Sequence, residues 1–169
     1  VWGNMKQKIF LYLIVALAIV GAAISIHLTV NLYQPESGLI FCKGDNADCE
    51  SVIHSEYSSV AGIPLSSYAT LFYAFMLFTF LVTAYADGKY YYVCAWVVIF
   101  PLSVISLIAD GILAGILIRL GKFCVLCVTT YLINILIFAL LLFYLQAIQK
   151  AFSVNLREIF LLALKIEEN

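Results

Sequence analysis

Long apolar runs separated by short polar segments dominate this chain. Four of them, residues 9–33, 64–86, 90–120 and 123–145, reach the length of about 20 apolar residues that a helix needs to cross a bilayer. Of the 169 residues, 64% are hydrophobic and only 11% are charged, which is far from the composition of a soluble domain. The pattern therefore predicts an all-α integral membrane protein, a four-transmembrane-helix bundle.

The polar segments between and after these runs predict two smaller elements. Residues 34–63 form a long loop rich in turn residues, in which residues 48–57 are expected to make a short helix that acts as a lid over the bundle. Pro64 is suited to the first turn of the second span. Residues 153–168 alternate apolar and charged positions as a C-terminal interfacial helix does. We therefore expect a transmembrane domain over residues 1–150 and an amphipathic tail over 151–169.

Charge predicts the orientation of the bundle in the membrane. With the N-terminus inside, the cytoplasmic segments carry most of the basic residues, as cytoplasmic loops do, namely Lys6, Lys8, Lys89, Lys150, Arg157 and Lys165. Lys43, Arg119 and Lys122 then lie outside. Both termini are expected in the cytoplasm and the long loop on the extracytoplasmic face of the cell membrane. The net charge of −1 and the lack of a basic stripe argue against a nucleic-acid partner.

Four cysteines fall on the predicted outer face. Cys42 and Cys49 lie in the long loop, and Cys124 and Cys127 form a C-x-x-C pair at the start of the fourth span. Because extracytoplasmic compartments are oxidising, two dithiols on one surface can exchange disulfides. Cys94, near the inner end of the third span, is interpreted as a small buried apolar residue.

The C-x-x-C pair lies where a helix begins, which predicts reactive thiols. Unpaired N–H groups, the helix dipole and nearby Lys122 should lower the thiol pKa and raise the thiolate fraction. Cys127, Tyr131 and Asn134 follow at helical spacing and should share one face that runs into the bilayer. Tyr131 and Asn134 can supply hydrogen bonds to a carbonyl oxygen in an apolar pocket, as a quinone head group requires.

Three motifs together resemble one known family. They are Cys124-Val-Leu-Cys127-Val-Thr-Thr-Tyr131-Leu-Ile-Asn134, the loop pair Cys42 and Cys49 followed by Ser55, and Gly62-Ile63-Pro64-Leu65-Ser66 at the start of the second span. Over about residues 5–150 the chain resembles vitamin K epoxide reductase homologues, in particular the microbial type without a fused thioredoxin-like domain. The C-x-x-C pair alone is a weak signal, whereas the combination is specific.

The resemblance implies a quinone-dependent thiol oxidoreductase that generates disulfides. In the family, the residue at Cys127 passes electrons to the quinone, the residue at Cys124 exchanges with that at Cys49, and the residue at Cys42 meets the external thiol. The donor is expected to be a separate thioredoxin-like (DsbA-like) protein, and the acceptor ubiquinone, menaquinone or phylloquinone.

The expected quinone contacts come partly from the resemblance and partly from the residues. The positions of Ser55 and Tyr131 match a serine and a tyrosine of the family's quinone pocket. Animal members have an asparagine near the start of the second span, where this chain reads Pro64-Leu65-Ser66-Ser67, which argues against epoxide reduction. The predicted quinone-binding set is Ser55, Ser66, Tyr131 and Asn134.

Other interpretations compete with this one. Four cysteines can bind structural zinc, but the Cys42-x6-Cys49 spacing fits poorly, and no metal is expected. A structural four-span protein with a static disulfide between Cys42 and Cys49 leaves the C-x-x-C pair unexplained. Convergence with the four-span DsbB proteins would give nearly the same reaction. Asp110, deep in the third span, is expected to face water or accept a hydrogen bond, and His27 and His54 are expected to be non-catalytic.

Overall fold

Four long helices follow one another along the chain. The computed structural model of the protein describes residues 5–34, 49, 52, 54–85, 95–121 and 123–152. Within them lie α1 (Met5–Tyr33), α2 (Leu65–Tyr85), α3 (Phe100–Leu120) and α4 (Val125–Phe152). Each carries an apolar stretch long enough to cross a membrane, namely Ile9–Tyr33, Leu65–Val82, Val97–Leu120 and Val125–Gln146. The predicted four-transmembrane-helix bundle is confirmed, and the chain is a multi-pass membrane protein.

The helices pack unevenly around the bundle. Helix α1 lies against both α2 and α4, and α3 packs against α4. The buried core lies where α1, α2 and α4 meet, and includes Ile14, Tyr73, Met76, Ile137 and Leu141. Helices α2 and α3 make few direct contacts among the described residues. The space that this leaves between them is part of the site described below.

A small hairpin leads into α2. Strand β1 (Ser59–Val60) pairs antiparallel with β2 (Ile63–Pro64) through a two-residue turn. Both turn residues have positive φ, 53° at Ala61 and 78° at Gly62, which matches the twist of a tight hairpin. Pro64 is thereby held in β2, opposite Ser59, and α2 begins one residue later, at Leu65. The expectation that Pro64 lies in the first helical turn is wrong by this one residue.

The predicted lid helix is interrupted before Tyr57. Cys49 and Val52 are helical, but a turn follows at His54 and Ser55, and Glu56–Ser58 form a single 3-10 turn. The cause is local: both the N–H and the Oγ of Ser55 donate to the carbonyl of Val52, at 3.2 and 2.7 Å, which closes a turn.

A short turn joins the end of α3 to the start of α4. Ala95–Ile99 form a π-helical turn that leads into α3, and Gly121, with φ of 63°, ends this helix in a left-handed conformation. Cys124 then lies immediately before α4. Helix α4 continues to Phe152, two residues into the predicted tail. The rest of that tail, and the predicted roles of Cys42 and Cys94, lie outside the described residues.

Candidate functional site: a cavity and a buried thiol cluster

A cavity of about 340 Å³ lies within the bundle beside the gap between α2 and α3. All four helices and the segment before β1 contribute to its wall, which is largely apolar, with residues such as Leu28, Phe72 and Leu113. All the predicted quinone contacts line it, namely Ser55, Ser66, Tyr131 and Asn134. One predicted redox cysteine, Cys127, lines it as well. Its volume and its few polar groups in an apolar wall fit a small-molecule pocket.

A chain of hydrogen bonds joins three helices across this cavity. The hydroxyl of Tyr73 on α2 donates to Asn134 Oδ1 on α4 at 2.7 Å, and Asn134 Nδ2 donates to Asp110 Oδ2 on α3, also at 2.7 Å. The two bonds fix which way the Asn134 amide points, because its oxygen accepts on one side and its nitrogen donates on the other. All three residues line the cavity. The expectation that Asp110 is hydrogen-bonded is met by Asn134.

Close packing against α1 holds the ring of Tyr73 in place. A Cβ atom added at Gly21 would collide with the ring carbons of Tyr73, so only glycine leaves room for the ring here. Tyr73 itself is 1% exposed and makes an edge-on contact with Phe72, with ring centroids 5.3 Å apart. The absence of a side chain at Gly21 therefore lets the Tyr73 hydroxyl reach Asn134.

The other predicted quinone contacts differ in the hydrogen bonds that they make within the protein. No described residue hydrogen-bonds the Tyr131 hydroxyl, which leaves both its proton and its lone pairs for a ligand. Ser66 Oγ and Thr29 Oγ1 share a 2.9 Å hydrogen bond, and the single proton of Thr29 also faces Ser25 O at 2.9 Å, so the Ser66 hydroxyl is already engaged with α1. Ser55 Oγ donates to Val52 O, so towards a ligand it can act only as an acceptor.

Cys124 occupies the N-cap position of α4. Its carbonyl accepts the first bond of the helix, from the N–H of Val128 at 3.0 Å, and its Sγ accepts from the N–H of Cys127 at 3.4 Å. A serine or aspartate at an N-cap accepts from the N–H three residues on in the same way. The C-x-x-C spacing thus places the second cysteine's N–H against the first cysteine's sulfur.

The same geometry favours the thiolate of Cys124, which precedes the span Val125–Gln146. The side chain of Cys127 lowers the pKa of Cys124 by hydrogen bonding to its sulfur; burial opposes this, and the backbone N–H groups of Cys127 and Leu126 add to it. Cys124 therefore carries more negative charge than an ordinary buried thiol at the same pH.

Cys49 and Cys124 belong to one buried cluster. Both are 0% exposed and pack together with Leu28 and Leu126, while Cys127 touches the edge of the cluster and also lines the cavity. Cys49 takes part in a disulfide, whereas Cys124 and Cys127 are free thiols. A sulfur in a disulfide is not a thiolate ligand, so this arrangement differs from the zinc site considered above.

Sequence reasoning missed Tyr73, Gly21 and the link between Asp110 and Asn134. Tyr73 is one of eleven tyrosines, and nothing in its local sequence separates it from the others. Asp110 does carry a signal, since it is the only Asp or Glu within the four spans, and carboxylates in membranes are costly and usually functional. Its partner, 24 residues away on another helix, was not apparent from helical spacing.

Comparison with known proteins assigns the family. A search of curated proteins finds no match. A family model, described as the Vitamin K epoxide reductase family, matches residues 12–142, which is most of the chain and includes α2, α3 and the C-x-x-C pair. Members of this family are membrane oxidoreductases that couple thiols to quinone-type substrates. The chain therefore belongs to the vitamin K epoxide reductase family.

Proposed function

We propose that the protein is a thiol:quinone oxidoreductase that generates disulfides. Electrons pass from a reduced thioredoxin-like partner to Cys42 and Cys49, then to Cys124 and Cys127, and then to a membrane quinone. The observation that carries this proposal is the division within the C-x-x-C pair. Cys124 packs beside Cys49 in a buried cluster, whereas Cys127 lines the cavity.

The exchange between the two cysteine pairs requires no other reactant. The Cys49 thiolate attacks Cys124 Sγ of an oxidised C-x-x-C pair and displaces Cys127 as a thiolate, which takes up a proton. Cys42 then loses its proton and attacks Cys49 Sγ, so that Cys124 leaves. The result is a disulfide between Cys42 and Cys49 and a reduced C-x-x-C pair. A disulfide-bonded Cys49 beside free Cys124 and Cys127 is consistent with this state.

The lowered pKa of Cys124 supports its role in the second step. A thiol of low pKa is the better leaving group in thiol–disulfide exchange. The bonds that Cys127 makes to Cys124 Sγ stabilise the departing thiolate. Cys124 thus leaves Cys49 readily, which drives electrons onward to the C-x-x-C pair.

Burial explains why a shuttle cysteine is needed. Cys49 and Cys124 are both 0% exposed, so a folded partner protein cannot bring its own thiol to either of them. We assign the contact with the partner to Cys42, which can exchange with Cys49 through the loop. The partner is a separate thioredoxin-like, DsbA-like thiol protein.

The cavity supplies the quinone site. A bound quinone accepts two electrons from the reduced pair and takes up two protons to form the hydroquinone. Tyr131 and the remaining N–H of Asn134 are the donors for its oxygens, and Ser55 and Ser66 border the same space. The apolar wall excludes water and accommodates the ring of ubiquinone, menaquinone or phylloquinone alike.

The proposed orientation puts this chemistry at the extracytoplasmic face. Both termini lie in the cytoplasm, as the distribution of Lys and Arg predicts. The segment before α2 and the turn between α3 and α4, which carry the redox cysteines, then face an oxidising compartment.

Anaerobic quinone reduction by the purified protein tests this function. The protein in detergent is supplied with a reduced thioredoxin-like donor and a short-chain quinone, and wild type is compared with Cys127→Ala. Rapid reduction that is lost in Cys127→Ala, and kept in the matched control Cys94→Ala, is the expected result. No reduction of any quinone, together with a stable disulfide at Cys49 in every form, would instead identify a structural four-span protein.

A further inference from the structure

Asp110 stands apart from every other residue of the cavity. It is the only Asp or Glu within the four spans, it is half-buried, and it lines the cavity. A carboxyl group at this depth lowers stability unless it is neutral or well paired. Its position in the wall of the cavity indicates a role in the chemistry of the site.

The hydrogen bonds at Asp110 define which of its oxygens is available. Oδ2 accepts from Asn134 Nδ2, and Asn134 Oδ1 in turn accepts from the Tyr73 hydroxyl. In both hydrogen bonds the donor is therefore the residue farther from the carboxyl group. No described residue hydrogen-bonds Oδ1. If the carboxyl group is neutral, its proton lies on Oδ1, because Oδ2 is already an acceptor.

The surroundings of Asp110 favour the neutral acid. The other titratable groups that line the cavity are Tyr68 and Tyr73 from α2, Tyr131 and Cys127 from α4, and Tyr57 from the segment before β1. None of them is a cation, and α1 contributes only Ser25, Leu28 and Leu32 to the wall. Arg119 on the same helix is nine residues on and exposed. Because no described residue of the wall carries a positive charge, a carboxylate is poorly stabilised there.

We propose that Asp110 is a catalytic acid, which donates a proton to a quinone oxygen while the disulfide between Cys124 and Cys127 forms. This inference rests on the proposed function. The reduced pair starts as a Cys124 thiolate and a Cys127 thiol, and gives two electrons to the quinone as the S–S bond forms. One proton comes from Cys127 and one from Asp110, so the products are the hydroquinone, the disulfide and the Asp110 carboxylate. Asp110 regains its proton from solvent after the hydroquinone has left.

Replacement of the acid by its isosteric amide separates proton donation from positioning. In Asp110→Asn the side-chain oxygen still accepts from Asn134, but the acidic proton is lost. We expect kcat for quinone reduction to fall by about 10²-fold or more, as for other general acids, with KM nearly unchanged. Asp110→Glu, which keeps an acid, should retain more activity. Ser103→Ala, a buried polar change on α3 that is bonded within its own helix and not to the cavity, is the control.

A second readout is independent of turnover. The infrared difference spectrum of wild type minus Asp110→Asn, at neutral pH and without quinone, should contain the C=O stretch of a protonated carboxylic acid. A carboxylate signal in its place would overturn the proposal. Thermal unfolding in detergent, and exchange of the disulfide at Cys49 with the C-x-x-C pair, should be the same in both proteins, which excludes misfolding as the cause.

The outcomes distinguish failure of the Asp110 proposal from failure of the proposed thiol:quinone activity. An active wild type with an equally active Asp110→Asn overturns the catalytic acid and leaves the thiol:quinone activity standing. If only Asp110→Leu loses activity, Asp110 merely positions Asn134, which also overturns the proposal. A wild type that reduces no quinone overturns the proposed function, and the role of Asp110 falls with it.

Discussion

The hydroxyl of Tyr73 on α2 donates a 2.7 Å hydrogen bond to Asn134 on α4, inside the bundle. This bond joins two helices that both line the cavity, and it fixes the amide that the quinone is proposed to meet. Stability of the bundle and shape of the site are therefore linked through one tyrosine.

Tyr73→Phe should test this link. The change removes one interhelical hydrogen bond and should lower the free energy of unfolding by about 0.5–2 kcal/mol. It should also raise KM for the quinone, because the Asn134 amide can then rotate. Denaturant unfolding in detergent and steady-state kinetics measure the two effects. Tyr68→Phe, which loses an exposed 3.3 Å bond to Val60, is the control for stability alone, because Tyr68 also lines the cavity; an equal loss of unfolding free energy there would contradict the assignment.

Gly21 should be the least replaceable glycine among those described. In Gly21→Ala the new methyl group collides with the ring of Tyr73, and we expect a loss of about 1–3 kcal/mol in unfolding free energy. Gly115→Ala is the control, since a Cβ there meets no atom and alanine favours the helix by about 1 kcal/mol. In a Tyr73→Ala background the cost of Gly21→Ala should largely disappear, which a double-mutant cycle measures. An unchanged cost would place the clash elsewhere.

The spans were predictable because a bilayer imposes length and apolarity on a helix, independently of its neighbours. Residues 9–33 were predicted as the first span, and the structure has the same bounds. The interruption of the lid was not predictable from composition, because it depends on Ser55 bonding to Val52 rather than continuing the helix. The second helix begins one residue after Pro64 for a similar reason, because Pro64 pairs with Ser59 in the hairpin of β1 and β2.

The site was only partly predictable for a physical reason as well. Cys127, Tyr131 and Asn134 lie on one helix, so their spacing alone predicts a shared face, and all three line the cavity. Tyr73 and Asp110 reach the same cavity from other helices. Which faces of α2 and α3 turn towards α4 depends on packing, and the hydrophobic pattern of a membrane helix does not encode it, since lipid-facing and core-facing residues are both apolar.

The thiolate of Cys124 should make stability depend on pH. Its folded-state pKa is lowered, chiefly by the Cys127 side chain, relative to an unfolded value of about 8.5. The reduced protein therefore gains stability above that unfolded value, and loses it as pH falls through the lowered pKa. Ultraviolet thiolate absorbance and unfolding at several pH values measure both. Cys127→Ala should shift the Cys124 titration to higher pH and reduce the pH dependence, whereas Cys127→Ser, with a hydroxyl donor, should shift it less.

Trapping of a mixed disulfide between Cys49 and Cys124 should separate a relay from a static disulfide. In Cys127→Ser, Cys124 has no partner in its own motif, so its thiolate attacks Cys49 in the loop disulfide and releases Cys42. Because Cys49 and Cys124 share a buried cluster, the mixed disulfide should form in a detectable fraction of Cys127→Ser molecules, in exchange with the loop disulfide, and Cys42→Ser, which lacks the loop thiol that resolves it, should trap the same bond in a larger fraction. Non-reducing peptide mapping by mass spectrometry identifies it. Cys124→Ser is the matched control: Cys127 only borders the cluster, so the disulfide at Cys49 should stay unchanged. If no bond between Cys49 and Cys124 forms in Cys127→Ser or in Cys42→Ser, the two pairs do not exchange, and the path of electrons from loop to cavity is wrong.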